Sequence, residues 1–418
     1  MHREVTKSRL NFKHTLYACF GANLVQAAIV NLSPLLFIAL RESFGYSYTQ
    51  LGALVLINFF TQVLTDLAFS RIVDRYGYRI FIVGGHIAAF LGLVIFAASP
   101  LLSPNPYGIM VAGTVLFSMG GGLMELLLSP IVNAIPSDDK AGAMSLLHSF
   151  YAWGQMTVVL LTTAGIFIFG ASAWPWLILA WALVPLINGV IFSRVPLEQP
   201  FRGDTGDGLR KTLRSSAGLF LACFVVIAMG GASEISLSQW SSAIMERVAG
   251  LPKLAGDTIG MAGFALMLAL GRTLNAKYGS RFRLTRMLMI GSLLAAACYV
   301  TVALTSSPAL ALVACALCGI GVSLLWPGTI IIAADAFPRA GTWLFAFLAA
   351  AGDIGASAGP QMMGMLADAA PNFPALTQLS ATLGPENLGL RAGTLVATLF
   401  PLIAFAAVVW IARKQKKT

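Results

Sequence analysis

The chain has 418 residues, 57% of them hydrophobic and only 11% charged, with a mean hydropathy of +0.80. A soluble domain carries about 25% charged residues, and nothing in water would hide this much apolar surface, so a soluble fold is excluded. The formal charge of +10 is not a nucleic-acid footprint, because the basic residues punctuate apolar runs and form no stripe on a soluble face.

Gaps between charges locate the elements. No Asp, Glu, Lys or Arg occurs between Arg79 and Glu125, between Lys140 and Arg194, or between Arg286 and Asp335. A membrane helix needs about 20 residues, so each gap fits two crossings, with turns at Ser99–Pro106, Gly170–Pro175 and Ser306–Pro308. The pattern predicts an all-α membrane protein of twelve helices, at 14–40, 48–72, 79–98, 107–135, 140–170, 174–194, 214–247, 255–278, 284–304, 309–336, 340–369 and 389–412. The apolar runs are long and unbroken, which argues against strands of a barrel.

The first helix offers Asn23, Gln26 and Asn31, with Asn23 and Asn31 on one face. The second carries a stripe at successive i+4 positions, Asn58, Gln62 and Asp66, which cannot face lipid without unsatisfied polar groups. The loop after it reads Asp74-Arg75-Tyr76-Gly77-Tyr78-Arg79. The fourth helix contains Gly120-Gly121-Gly122-Leu123-Met124-Glu125, with Ser129 and Asn133 one and two turns on. An acid this deep in a span is expensive and lines a cavity or a proton relay. The fifth helix contains His148, Tyr151, Trp153 and Gln155, and the sixth Asn188. A His beside a buried carboxyl can share its proton; an interhelical hydrogen bond is the alternative.

The polar stretch Arg194–Arg214 reads as a linker, giving an amino-terminal bundle 1–194, a linker 195–213 and a carboxy-terminal bundle 214–418. The seventh helix carries Glu234, Gln239 and Trp240, the eighth Arg272, the tenth Trp326 and the eleventh Asp353 between Gly352 and Gly355. The halves repeat weakly: Pro130 and Asp138 match Pro327 and Asp335, and Lys140-Ala141-Gly142 matches Arg339-Ala340-Gly341. Asp335 is expected to pair locally with Arg339. Such repeats build a central site that two bundles open to either side.

If the amino terminus is cytoplasmic, 23 of the 27 basic residues fall on the cytoplasmic side, and only Arg41, Arg247, Lys253 and Arg391 fall outside. This positive-inside pattern predicts an even number of helices with both ends in the cytoplasm. The first apolar run is too long for a cleaved signal. Cys19, Cys223, Cys298, Cys315 and Cys318 all lie in expected helices and read as packing residues. No cofactor, metal site or nucleic-acid partner is expected, and no nucleophile–base set points to an enzyme.

The loop Asp74–Arg79 is similar to the signature of the major facilitator superfamily, with Ser70 where that signature has Gly. Gly271-Arg272 followed by Lys277-Tyr278-Gly279-Ser280-Arg281 resembles a degraded second copy. Asp74, Arg75, Gly77, Arg79 and Arg272 would then form a gate. The fourth helix, His148–Gly154 in the fifth, Gly230-Gly231-Ala232-Ser233-Glu234 with Trp240, and Gly359-Pro360 resemble the fucose-permease-like branch. The resemblance implies that Glu125 couples protons, although the companion acid of the first helix is missing: Thr15–Leu40 holds no Asp or Glu.

The expectation is therefore a monomeric inner-membrane transporter working by alternating access, a proton-coupled symporter of a sugar or similar hydroxyl-rich solute. The alternative is a proton-coupled exporter of drugs or metabolites; a receptor or enzyme fits less well. Proton coupling is expected among Glu125, Asp66, Asp353, Glu234 and His148. Substrate binding is expected among Asn23, Gln26, Asn31, Asn58, Gln62, Tyr151, Gln155, Gln239, Trp240 and Trp326.

Overall fold

Long apolar runs must satisfy their backbone internally once water is gone, and only helices do so within one segment. The computed structural model describes residues 10–136, 140–198, 207–278, 282–337 and 342–415, and these are helical almost throughout. In the amino-terminal half the helices are α1 (Phe12–Leu35), α2 (Phe37–Phe44), α3 (Tyr48–Tyr76), α4 (Tyr78–Leu102), α5 (Tyr107–Ala134), α6 (Lys140–Phe169) and α7 (Trp174–Arg194). Then come α8 (Asp207–Arg247), α9 (Lys253–Ala255), α10 (Ala262–Tyr278), α11 (Leu284–Leu304), α12 (Pro308–Val322) and α13 (Leu325–Ala336). The chain ends with α14 (Thr342–Ala369), α15 (Thr377–Leu383), α16 (Pro385–Ala397) and α17 (Leu399–Gln415).

These elements give the expected twelve-helix architecture, because several expected single helices are jointed pairs. The first is α1 and α2, broken at Leu36; the tenth is α12 and α13, broken at Ser323–Leu324; the twelfth is α16 and α17, joined at Thr398. The eighth runs from α9 through a π-helical turn, Gly256–Met261, into α10. The helix α8 starts seven residues before its expected position. Its charges mark where the chain leaves lipid rather than where the helix begins. The short helix α15 was not anticipated.

Among the described residues eleven segments are long and apolar enough to cross a bilayer. The remaining crossing, α14, falls short because it is rich in Gly and carries Asp353, Gln361 and Asp368. It packs along α8 and leaves Phe347, Ile354 and Met365 exposed on its outer face. A Cβ on Gly355 would come within 1.8 Å of the Ala228 carbonyl oxygen, and one on Gly231 within 2.3 Å of that of Gly352. Small residues let the two backbones touch, as helix interfaces in membranes require.

The chain forms two compact units by backbone proximity. The first comprises Met1–Ile29, Thr61–Gly154 and Ala173–Gly203; the second comprises Val30–Phe60, Gln155–Ser172 and Asp204–Thr418. In the first, α4 packs against α5 and α7. In the second, α8 is the hub, contacting α12, α13, α14, α16 and α17, while α10 and α11 pack on α12.

Candidate functional site

In the first unit the triple glycine of α5 serves two neighbours at once. A Cβ on Gly120 would sit 2.3 Å from the Gly85 carbonyl oxygen of α4, and one on Gly122 would sit 2.9 Å from the Thr65 Cβ of α3. With no side chains in the way, α3 comes close enough to bring Asp66 to Glu125. A carboxylate oxygen of each lies within 4.8 Å of the other. Both residues are half-buried. Asp66 Oδ1 is shielded from solvent and has no hydrogen-bond partner among the described residues. Gln62, one turn before Asp66, is buried against Gly121. The Gln26 amide donates to the Gly121 carbonyl at 3.2 Å, and Asn23 donates to the Leu147 carbonyl at 2.7 Å. Two of the polar groups of α1 thus act between helices. Phe20 stacks on Phe150, with ring centroids 4.1 Å apart.

His86, a residue to which the sequence drew no attention, is fully buried in the same unit. Its Nδ1 lies 2.7 Å from the Ile82 carbonyl and its Nε2 lies 2.9 Å from the Asn188 amide nitrogen. Nδ1–H therefore donates, and Nε2 accepts from Asn188. The same amide reaches the Ala18 carbonyl at 3.0 Å. Asn188 is committed to this interhelical bridge. Tyr151 is half-buried, and Trp153 is 47% exposed. The side chains of His148 and Asp74 lie outside the described residues, as does Asp138.

The loop signature has an explicit local role. Gly77 takes φ +86°, which favours glycine, to turn α3 into α4. The Arg79 guanidinium then donates to the carbonyls of Phe192, Ser193 and Val195 at 2.8–2.9 Å. It satisfies orphan acceptors at the end of α7, where a cation also suits the helix dipole. Arg75 is exposed and lies over the Tyr76 ring.

The second unit pairs two residues that the sequence treated separately. Arg272 of α10 donates through Nη2 to Oε1 and Oε2 of Glu234 on α8, at 3.1 and 3.0 Å. Its Nε reaches the Ser323 carbonyl at 3.3 Å. That carbonyl is free because the residue four positions on, Pro327, has no N–H. Arg272 thus belongs to a partly buried ion pair, and its charge is already matched. Pro34 works in the same way at the joint between α1 and α2. It frees the Val30 carbonyl, which accepts from the Gln239 amide at 3.1 Å. Gln155 donates to Ser238 Oγ at 2.9 Å.

Trp240 is 0% exposed, and its indole N–H donates to the Pro360 carbonyl at 3.1 Å. Its ring packs between Phe37 and Tyr48, at 4.9 and 5.5 Å. It is a core residue, with no free face for a solute. Trp326 is half-buried and lies over Gly352, where a Cβ would come within 2.2 Å of its ring. Asn31, Asn58 and Asp353 are buried.

A cluster of charges in the second unit went unnoticed in the sequence. Lys253 Nζ donates to Asp257 at 3.1 Å, to Ser242 Oγ at 3.3 Å and to the Leu35 carbonyl at 2.7 Å. Asp257, in the π-helical turn and 0% exposed, also accepts from Thr163 at 2.8 Å and from Ser242. Nearby residues join the same chain segments. Arg41 pairs with Glu386 at 3.2 Å and lies 4.3 Å over the Tyr48 ring; Tyr48 donates its hydroxyl to Glu386; Glu42 pairs with Arg247. Asp368 caps the start of α3, accepting from the backbone N–H of Tyr48 at 3.1 Å and of Thr49 at 2.6 Å. The i,i+4 spacing of Lys253 and Asp257 is the sequence signal of this pair.

Twelve crossings, several of them jointed, with two acids brought together inside the span, define a polytopic helical membrane protein. The family model described as Major Facilitator Superfamily matches residues 18–360. The chain belongs to that superfamily. Among solved structures, it is similar to a bacterial homologue of the human lysosomal transporter Spinster, inward-facing and occupied, with a TM-score of 0.77 and 16% identity over 96% of this chain and 97% of that one. It is also similar to a D-xylose–proton symporter (TM-score 0.73, 14% identity, 93% and 97% covered). The transporter FucP in its outward conformation matches with a TM-score of 0.63 and 14% identity over 95% and 98% of the chains.

Proposed function

We propose that this transporter couples proton movement to symport of a small hydroxyl-rich solute, of the sugar or polyol class, by alternating access. One observation carries the reading: the Asp66–Glu125 carboxyl pair, with oxygens within 4.8 Å in a polar stripe. Two carboxyls so close repel when both are ionised, so the pair favours having one of the two protonated. Entry of water or solute changes that balance and releases the proton. An uncharged solute agrees with Arg272, whose guanidinium is already occupied by Glu234. Two similar proteins, a D-xylose–proton symporter and the fucose–proton symporter FucP, support the same reading.

In this reading both termini and Asp74–Arg79 face the cytoplasm of the inner membrane, and a single chain suffices. The charge cluster around Lys253 and Asp257 then closes the outer end. Glu234, Asp353 and His148 are secondary coupling candidates, while Asn31, Asn58, Gln62, Tyr151 and Trp326 are the candidates to contact solute. Proteoliposomes supply the test. A transported sugar added outside should alkalinise the outer medium, and Glu125→Gln should keep solute exchange while losing uphill accumulation. Flux indifferent to proton gradient and membrane potential would sink the coupling; outward movement of amphipathic drugs would favour the exporter.

A further inference from the structure

At one end of the second unit, α11, α15 and α16 enclose a recess of about 420 Å³. Its walls are almost entirely aliphatic: Leu304, Leu376, Leu379, Leu383, Leu388 and Leu395. Leu379 and Leu383 are one turn apart on α15 and are 45% and 38% exposed, so this short helix turns an apolar face into the recess.

One cation interrupts these walls. Arg391 of α16 lines the recess. Its Nε donates to Asn387 Oδ1 at 2.7 Å and its Nη1 to the Ala303 carbonyl at 2.8 Å, which fixes the guanidinium in place. Neither partner carries a charge. Among the described residues four ion pairs occur, and Arg391 is in none of them. Nη2 is left without a partner among those residues. A half-buried guanidinium with no counter-ion, at the edge of an aliphatic recess, calls for an anion attached to an apolar body.

Its depth identifies the source. Arg391 precedes Arg413 by 22 residues of nearly continuous helix, a rise of about 33 Å at 1.5 Å per residue. The hydrocarbon core is about 30 Å thick. With Arg413 and Lys414 at one interface, Arg391 lies at the headgroup level of the other. It is also one of only four basic residues assigned to that face by the positive-inside pattern.

We propose that the recess binds an anionic phospholipid of the leaflet opposite Arg413, with the phosphate on Arg391 and an acyl chain along the leucines of α15 and α16. The site shares no residue with the acid pair and does not depend on the identity of the solute.

Native mass spectrometry of the full-length protein, equilibrated with phosphatidylglycerol and with diacylglycerol of the same chains, tests this. The wild-type protein should retain phosphatidylglycerol in preference to diacylglycerol. Arg391→Gln should weaken that retention about tenfold, as expected for loss of a charged hydrogen bond, and Arg391→Lys should restore part of it. Leu379→Trp, which fills the recess from a partly exposed position and leaves the cation intact, should also lower retention. Equal retention by wild type and Arg391→Gln would overturn the proposal. So would equal retention of diacylglycerol, a bound fatty acid in place of phospholipid, or unchanged retention in Leu379→Trp.

Discussion

Lys253 ties three segments of the second unit together. Its ammonium meets Asp257, Ser242 and the last carbonyl of α1, and Asp257 in turn gathers Thr163. Removing one member of a buried pair leaves the other charge without compensation, which costs about 3–5 kcal/mol. Lys253→Met is therefore expected to destabilise by that amount in thermal or denaturant unfolding. Adding Asp257→Asn should recover much of the loss, because the amide still bonds Thr163 and no buried charge remains. A double variant no more stable than Lys253→Met would mean that the charge pair is not the source of the cost. At the acid pair, Asp66→Asn is expected to leave an amide beside Glu125 and to remove the repulsion between them. Proton-driven accumulation should then fall at least as far as in Glu125→Gln, while the protein melts no lower than wild type.

At the scale of elements, the twelve crossings were legible because lipid demands long uncharged helices and little else obeys that pattern. The joints were harder to read. Pro34 and Pro327 are visible in the sequence, but a proline in a membrane helix breaks it only where something else takes the freed carbonyl. The takers, Gln239 and Arg272, are more than fifty residues from Pro34 and Pro327 and were read as solute-facing and gating groups. Likewise Glu234 and Arg272 were each noticed, but their pairing depends on how α8 meets α10. Asp257 lay at the edge of an apolar run, where a charge ordinarily marks water. The first joint yields a coupling experiment. Pro34→Ala restores an N–H that competes with Gln239 for the Val30 carbonyl. Gln239→Ala should therefore cost less in the Pro34→Ala background than in wild type, with an interaction of about 0.5–3 kcal/mol in a double-mutant cycle. Strictly additive effects would detach Gln239 from the joint.

At the scale of the molecule, the charge cluster has a bearing on the proposed cycle. It joins segments from the amino-terminal helices, around Leu35, Arg41, Glu42, Tyr48 and Thr163, to Arg247, Lys253, Asp257, Asp368 and Glu386. All of these bonds must be released if that end is to open. The partly exposed pairs Arg41–Glu386 and Glu42–Arg247 are worth about 0–1 kcal/mol each, which shifts a two-state equilibrium less than tenfold. The Lys253–Asp257 centre is buried and weighs more. Opening of this end is therefore expected to be graded. Asn31, which is buried, reports it when replaced by Cys in a background lacking the five native, buried cysteines. Labelling by a membrane-impermeant maleimide should be slow in that background, a few times faster with Arg41→Ala or Arg247→Ala, and fastest with Lys253→Met compared well below its melting temperature. If Lys253→Met/Asp257→Asn labels as slowly as the parent while Lys253→Met alone is fast, the buried charge acts on stability. If both label fast, the ion pair itself holds that end shut, and the surface pairs only refine the balance.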